Sequence, residues 1–337
     1  MRVGLAGCGA VARIYYVPAL RQLEYDGLLK LAWAFDPDAE AARALVGEFD
    51  GAETTATFDE LLDHRPDFVV VASPPQFHAE NAIAAFEKGI PVHCEKPLAK
   101  SLEEGRRMVA EAQRTEVPLS IGMVRRRLAP VRMIRELLQR QAIGGLESIQ
   151  IFEGGPFQWP VSSPGYFDRT KGAVGVLEDV GTHVLDILNW WLGEPTDVAC
   201  ADDAMGGVAA NCRVNLSYGN AVATVRLSRD WYRPNEWLLR GETGLIRWSV
   251  DDWESVDLRM TESGLNARIL AGDADGAGRS LPAITFEQAF AVQLADFARS
   301  LNGGQGSFVP GAEALPVLET LERCAAARTE MDMPWLK

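Results

Sequence analysis

Histidine is scarce in this 337-residue chain, cysteines are never closely paired, and long apolar runs are missing. Each shortage removes a class of protein. The four histidines, at 64, 78, 93 and 183, are dispersed, so a multi-histidine metal centre lacks ligands. Five cysteines, Cys8, Cys94, Cys200, Cys212 and Cys324, make an odd set without CxxC spacing. They read as reduced thiols of a cytoplasmic protein, not as a disulfide framework. No run of about eighteen apolar residues predicts a membrane span. The opening MRVGLAGC superficially resembles a lipoprotein cleavage site, but a secretory segment needs about 7–15 apolar residues after a basic stretch, and Cys8 comes too early. Basic residues are also short, with Lys+Arg 33 against Asp+Glu 47 and a net charge of −14. That balance argues against a nucleic-acid backbone or an anionic membrane as partner. It suits a cationic substrate, although surplus acid is more often a solubility device.

What is present describes an ordinary folded chain, 47% hydrophobic and 24% charged, long enough for two domains. RVGLAG reads as a strand and residues 10–23 as a helix, followed by a strand over 28–35 and a helix over 39–49. Thr57 and Glu60 form a capping box before a short helix. DFVVVAS is a buried strand, HAENAIAAFEKG a helix ending at Gly89, and PVHCE a strand. Ser101 and Glu104 cap a helix to about Arg114, and VPLSIGM is the last strand of the series. This alternation predicts a doubly wound parallel sheet over residues 1–122.

The pattern changes after Met123. A helix over PVRMIRELLQRQ stops at Gly144–Gly145. In NCRVNLSY the apolar Cys212, Val214, Leu216 and Tyr218 alternate with polar residues, and Gly219–Asn220 makes a tight turn into AVATVRLS. WLLRG, GLIRWSV and SVDLRM continue the series. Residues 123–337 are therefore expected to form an α/β domain with an antiparallel sheet, one face on the core and one free. GDADGAGRS reads as a loop, and two helices close the chain, over FEQAFAVQLADFARSL and AEALPVLETLERCAAAR.

GCGAVA fits the G-x-G-x-x-G/A fingerprint between the first strand and first helix. Gly7 permits the tight turn, Gly9 lets a pyrophosphate approach, Ala10 and Val11 open the helix, and Ala12 keeps it close to the sheet. Asp36, at the end of the second strand, suits a ribose hydroxyl pair, though it lies farther from the glycines than the usual twenty or so residues. It would repel a 2′-phosphate, so NAD is expected in preference to NADP. Asp36 also reads as a helix cap before AEAARAL. Glu95 and Lys96 follow the strand PVHC and should face the ligand crevice at the strand ends. Pro97 restrains Lys96, in a cis or a trans bond. The plain alternative is a surface ion pair.

GLAGCGAVA, ASPPQFHAENAIAAFEKGIPVHCEKPLAKS and EDVGTHVLDILNWWLG together resemble the Gfo/Idh/MocA oxidoreductases, most clearly up to Gly193. The resemblance implies an N-terminal Rossmann domain and a C-terminal α/β domain with a large open-faced, mostly antiparallel sheet, used in relatives for homodimers or homotetramers. It makes Lys96 a catalytic residue, completed by Asp179 and His183. Ser73, Pro74, His78, Glu95, Lys96 and Pro97 fall in stretches associated with the cofactor. Trp159 and Tyr166, in an aromatic and Gly/Pro-rich loop, become substrate candidates beside Lys96, Asp179 and His183.

The implied reaction moves a hydride between a secondary alcohol or ketone of a sugar, aminosugar, cyclitol or nucleotide sugar and nicotinamide. His183, Lys96 or, as in some relatives, a tyrosine such as Tyr166 would carry the proton. Asp179 would orient His183 or bind a hydroxyl. A metal held by Asp179, His183 and Asp186 is an alternative reading of D-x-x-x-H-x-x-D, although no metal is expected. Arg125, Arg126 and Arg127 could take a phosphate, against the simpler reading that they are solvated or paired. An NAD-retaining glycoside hydrolase or lyase and a non-catalytic dinucleotide-binding regulator are the rival functions.

Overall fold

Strands buried on both faces need helices above and below them, and the first sheet obeys that rule. In the computed structural model, which describes residues 1–160, 174–272 and 282–332, it is built from β1 (Arg2–Ala6), β2 (Lys30–Phe35), β3 (Glu53–Thr54), β4 (Phe68–Val71), β5 (Val92–Cys94) and β6 (Leu119–Ile121). The order is β3-β2-β1-β4-β5-β6, with every neighbouring pair parallel. This is the doubly wound arrangement, and its order reverses between β1 and β4. All of β4 is fully buried.

The connecting helices are α1 (Val17–Tyr25), α2 (Ala39–Val46), α3 (Phe58–Asp63), α4 (His78–Glu87) and α5 (Leu102–Thr115). Their ends follow the predicted chemistry: Thr57 Oγ1 accepts from Glu60 N–H, and Ser101 Oγ from Glu104 N–H. The cap of α2 is Asp38, whose carboxylate accepts from the amides of Glu40 and Ala41. The helix expected over 10–23 differs in kind. Residues Ala12–Tyr16 form a π-helical turn before α1, ahead of Pro18, which has no amide hydrogen to donate.

Contacts divide the chain into two units, Met1–Val124 with Phe286–Leu318, and Arg125–Thr285 with Glu319–Lys337. The sequence boundary at 122/123 takes no account of that return. The returning helix, α8 (Phe286–Leu301, numbered after the helices of the second unit below), packs its aromatic face on the first unit. Phe290 stacks on Tyr15 at 4.6 Å, and Phe297 meets Phe68 edge-on at 5.3 Å.

The second unit holds α6 (Ala129–Gln139), β7 (Leu146–Gly154), α7 (Thr182–Leu192), β8 (Asp197–Asp202), β9 (Asn211–Tyr218), β10 (Ala221–Ser228), β11 (Glu236–Gly241), β12 (Gly244–Ser249), β13 (Ser255–Met260) and β14 (Asn266–Leu270). After α9 (Gly311–Ala326), β15 (Arg328–Glu330) joins the same sheet. The order is β14-β13-β12-β11-β7-β10-β9-β8-β15. It is mostly antiparallel, with parallel pairs β7–β10 and β8–β15. β9 and β10 form the expected hairpin around Gly219, at φ +59°. One face buries Val214, Leu216, Val225, Trp237 and Trp248, while Arg213, Val222, Arg226 and Arg247 stand exposed on the other. The Gly/Asp-rich stretch from 273 to 281 lies outside the described residues.

Candidate active site

The glycine turn leaves β1 beside the switch point. Gly7 has φ +94°, and a Cβ there would stand 2.5 Å from the Ser73 backbone nitrogen, so only glycine fits. Gly9 is different. A Cβ at Gly9 would meet nothing within 4 Å. Its glycine therefore answers to no packing demand of the chain, and the open space suits a pyrophosphate approaching the backbone. Ala10 and Val11 begin the helix, half-buried, and Ala12 is fully buried against the sheet. Asp36 ties the turn to the end of β2. Its Oδ2 accepts from Cys8 N–H at 2.7 Å and its Oδ1 from Asp38 N–H at 2.8 Å. Asp38 takes the helix-capping role considered for Asp36, which instead presents an oriented carboxylate next to the turn.

Ser73 and Pro74 follow β4, whose neighbour β1 carries the glycines. His78, fully buried at the start of α4, joins this segment to the Lys96 turn. Its Nε2 lies 2.7 Å from the Ser73 carbonyl and its Nδ1 2.8 Å from the Pro97 carbonyl. Burial holds the His78 pKa below its ordinary value, against the pull of those carbonyls. The side chain of His78 is thus a strut between two loops. The Lys96–Pro97 bond is cis.

Glu95 corrects one expectation. It does not face the crevice with Lys96. Its side chain turns inward, 6% exposed, with Oε1 accepting from the Tyr16 hydroxyl at 2.6 Å and Oε2 from the Lys96 amide at 3.0 Å. Burial pushes its pKa up, opposed by the Tyr16 hydrogen bond and the Lys96 charge. Lys96 itself is half-buried.

In the second unit, Asp179 lies in a π-helical turn, Leu177–Gly181, that runs into α7, and His183 follows in the first turn of α7, largely buried. Sequence reasoning missed the partner of Asp179. Arg229, just after β10, donates from Nη2 to Asp179 Oδ2 at 2.8 Å and from Nη1 to the Val174 carbonyl at 2.8 Å. Asp186 is held by Arg126, which donates to both carboxylate oxygens. That pair is buried, 7% and 2% exposed, so Asp186 is engaged as an ion-pair partner and not as a metal ligand. Among the described residues no cluster of His, Cys, Asp or Glu is placed to hold a metal ion.

Arg125 is likewise occupied, donating to both oxygens of buried Glu153, which also accepts from Trp237 Nε1. The paired reading of these two arginines replaces the phosphate reading. Trp159 is half-buried after β7, and Tyr166 lies outside the described residues.

Comparison with known proteins agrees with this layout. Residues 1–123 match the family model described as the oxidoreductase family with an NAD-binding Rossmann fold, Gfo/Idh/MocA, and residues 131–247 match the C-terminal domain of the same family. Rhizopine catabolism protein MocA of Rhizobium meliloti is 26% identical over 329 residues, 95% of this chain and 93% of that protein. Myo-inositol dehydrogenase Hyg17 of Streptomyces leeuwenhoekii is 28% identical over 343 residues, 97% of this chain and 96% of that one. In fold, the chain is similar to the WlbA dehydrogenase of Bordetella pertussis, solved with NADH and UDP-GlcNAcA. The TM-score is 0.79 at 19% identity, covering 97% of this chain and 95% of that chain. With an NAD-binding Rossmann domain in its first unit, the chain belongs to the Gfo/Idh/MocA oxidoreductase family.

Proposed function

We propose that the protein transfers a hydride between a secondary alcohol, or the matching ketone, of a sugar-type substrate and nicotinamide. One observation carries this reading. The turn bearing Lys96 leaves β5 at the same end of the sheet where the turn of Gly7 and Gly9 leaves β1, with only β4 between them. Ligands of doubly wound sheets sit beyond that end of the strands, at the order reversal.

The Gly7–Ala12 turn and Asp36 would hold the dinucleotide, with Ser73 and Pro74 lining the same end. NAD, when bound, supplies the hydride acceptor. Lys96 donates to the substrate oxygen and stabilises the negative charge that develops there as the proton leaves, before loss of the hydride from carbon turns the alkoxide into a carbonyl. His183 accepts the hydroxyl proton, a task suited to an imidazole. Asp179, anchored by Arg229, accepts from a neighbouring substrate hydroxyl. The carboxylate of Asp36 favours a free ribose 2′-hydroxyl over a 2′-phosphate, hence NAD over NADP.

The names of two relatives, a myo-inositol dehydrogenase and a dehydrogenase solved with a UDP-sugar acid, support a polyhydroxylated substrate. A cytoplasmic location and a homodimer or homotetramer formed through the free face of the second sheet belong to the same reading. They are supported by the free, buried cysteines and by exposed Val222 on that face.

The test is a thermal-shift comparison of NAD with NADP, then NADH formation against cyclitols, aldoses, aminosugars and nucleotide sugars. NAD should raise the melting temperature more than NADP, and one alcohol should yield many NADH per enzyme. Substrate cleavage without NADH release would instead favour the NAD-retaining hydrolase or lyase. Failure of both dinucleotides to bind would end the proposal.

A further inference from the structure

Behind the Lys96 turn runs a line of buried polar side chains that the proposed chemistry does not use. Tyr16 and His93 are 0% exposed, Ser120 2% and Glu95 6%. Ser120 Oγ lies 3.0 Å from His93 Nδ1, and His93 Nε2 lies 3.2 Å from the Tyr16 hydroxyl. The Tyr16 hydroxyl is 2.6 Å from Glu95 Oε1, and Glu95 Oε2 is 3.0 Å from the Lys96 amide nitrogen. Aromatic rings enclose the line, Phe290 edge-on to Tyr16 at 5.4 Å and Phe297 at 6.0 Å from His93. Such groups are tolerated in a core only when donors and acceptors match along the whole run.

The proton order follows from donor and acceptor counting. The Lys96 amide only donates, so Glu95 Oε2 accepts. Tyr16 has one hydrogen, and an ionised Glu95 takes it at Oε1. His93 Nε2 must then carry a hydrogen to meet the phenol oxygen, which leaves Nδ1 bare to accept from Ser120. Protonating Glu95 at Oε1 reverses each bond. The acid donates to Tyr16, Tyr16 to Nε2, and Nδ1–H to Ser120. The groups that bear on the charge of Glu95 are Tyr16 from the π-helical turn, Lys96 from its own loop, the Cys94 thiol on β5, and His93 through Tyr16.

We propose that Tyr16 and His93 are positioning residues for the reaction. With Ser120 and Glu95 they form a proton-ordered array that holds the backbone of Lys96, aims its ammonium group, and changes direction with the charge on Glu95. This rests on the reading of Lys96 as a catalytic residue. Burial raises the Glu95 pKa, and its bond from Tyr16 draws it back, so the array itself sets where that change occurs.

The experiment uses ¹⁵N-labelled full-length protein, in which His93→Gln identifies the His93 signals. With Glu95 ionised and the His93 ring neutral, the array requires the Nε2–H tautomer with a bare, pyridine-like Nδ1, and with Glu95 protonated the other tautomer. Tyr16→Phe and Ser120→Ala should each remove that preference, and Ser120→Thr should restore it. In NADH formation from NAD and the most active alcohol of the sugar panel, Tyr16→Phe should lower kcat about 10–100-fold, as expected of a misplaced reacting group. The KM for NAD should stay unchanged. The acid limb of kcat should move to higher pH, because Glu95 loses the donor that holds its pKa down.

In the Lys96→Ala background the Tyr16→Phe effect should vanish. A His93 tautomer unmoved by Tyr16→Phe and Ser120→Ala, or Tyr16→Phe with wild-type kcat and pH profile beside an inactive Lys96→Ala, overturns the array alone. Near-normal turnover in Lys96→Ala overturns the catalytic reading, and the tautomer then still decides whether the array exists.

Discussion

Arg229 reaches 50 residues back along the chain to fix Asp179, Nη2 to Oδ2 at 2.8 Å. The guanidinium is buried, 7% exposed, while the Asp179 side chain keeps 34% exposure. The pair therefore has a sheltered cation and a carboxylate open enough to meet a substrate. Arg229→Met should release that carboxylate, raise the KM for the alcohol, and lower kcat/KM about 10–100-fold, with the Kd for NAD unchanged. Steady-state kinetics beside calorimetric NAD binding separates the two. An equal loss of NAD affinity would contradict the assignment of Asp179 to the substrate.

Removal of the Lys96 ammonium should act on chemistry and not on dinucleotide affinity. Lys96→Ala is expected to lower kcat about 10²–10³-fold, the usual range for losing a donor aimed at developing negative charge. NAD binding, followed by fluorescence titration, should stay within a few-fold of wild type. Near-normal turnover would remove Lys96 from the reaction.

The two glycines of the fingerprint make a matched pair. Gly7→Ala forces a side chain into φ +94° and against the Ser73 backbone at 2.5 Å. It should lower the melting temperature, since a non-glycine residue in that region costs about 1–3 kcal/mol before any clash. Gly9→Ala adds a Cβ that meets nothing within 4 Å in the free protein and should leave the melting temperature nearly unchanged. Its NAD affinity should nevertheless fall at least about tenfold, because the added atoms occupy the approach of the pyrophosphate. Circular dichroism melts and NAD titrations on both variants check the contrast.

Glu95 gives a pH signature in stability. Its carboxyl pKa is raised above the ordinary value of 4.5, mainly by burial. The folded protein thus binds that proton more tightly than the unfolded chain. The contribution of Glu95 is most favourable below 4.5 and is lost as pH rises toward its folded pKa. Glu95→Gln removes this dependence. The melting temperature of the variant minus that of wild type should therefore grow more positive as pH rises from 4.5. A difference that is flat, or falls with pH, would contradict the inward, poorly solvated carboxylate.

The parts that sequence periodicity foretold were those with local causes. The fingerprint turn, the capping boxes at Thr57 and Ser101, and the β9–β10 hairpin each depend on residues a few positions apart. β7 was not singled out. Phe152 and Glu153 are both buried at its end, which breaks strand alternation, and Glu153 is tolerated there only because Arg125 and Trp237 arrive from elsewhere. Glu95 misled for the same reason. Its inward turn depends on Tyr16, 79 positions away. At Asp36 the helix-cap reading failed: the cap is Asp38, because the chain makes one more turn before α2 begins.

The returning segment Phe286–Leu318 also shapes the birth of the protein. During translation the nucleotide-binding sheet leaves the ribosome long before Phe290 and Phe297 exist to cover Tyr15 and Phe68. At ordinary synthesis speeds, roughly 10–40 s separate the two events. Through that interval the nascent polypeptide carries an aromatic surface that only the later helix covers, the kind of exposed apolar area that favours aggregation.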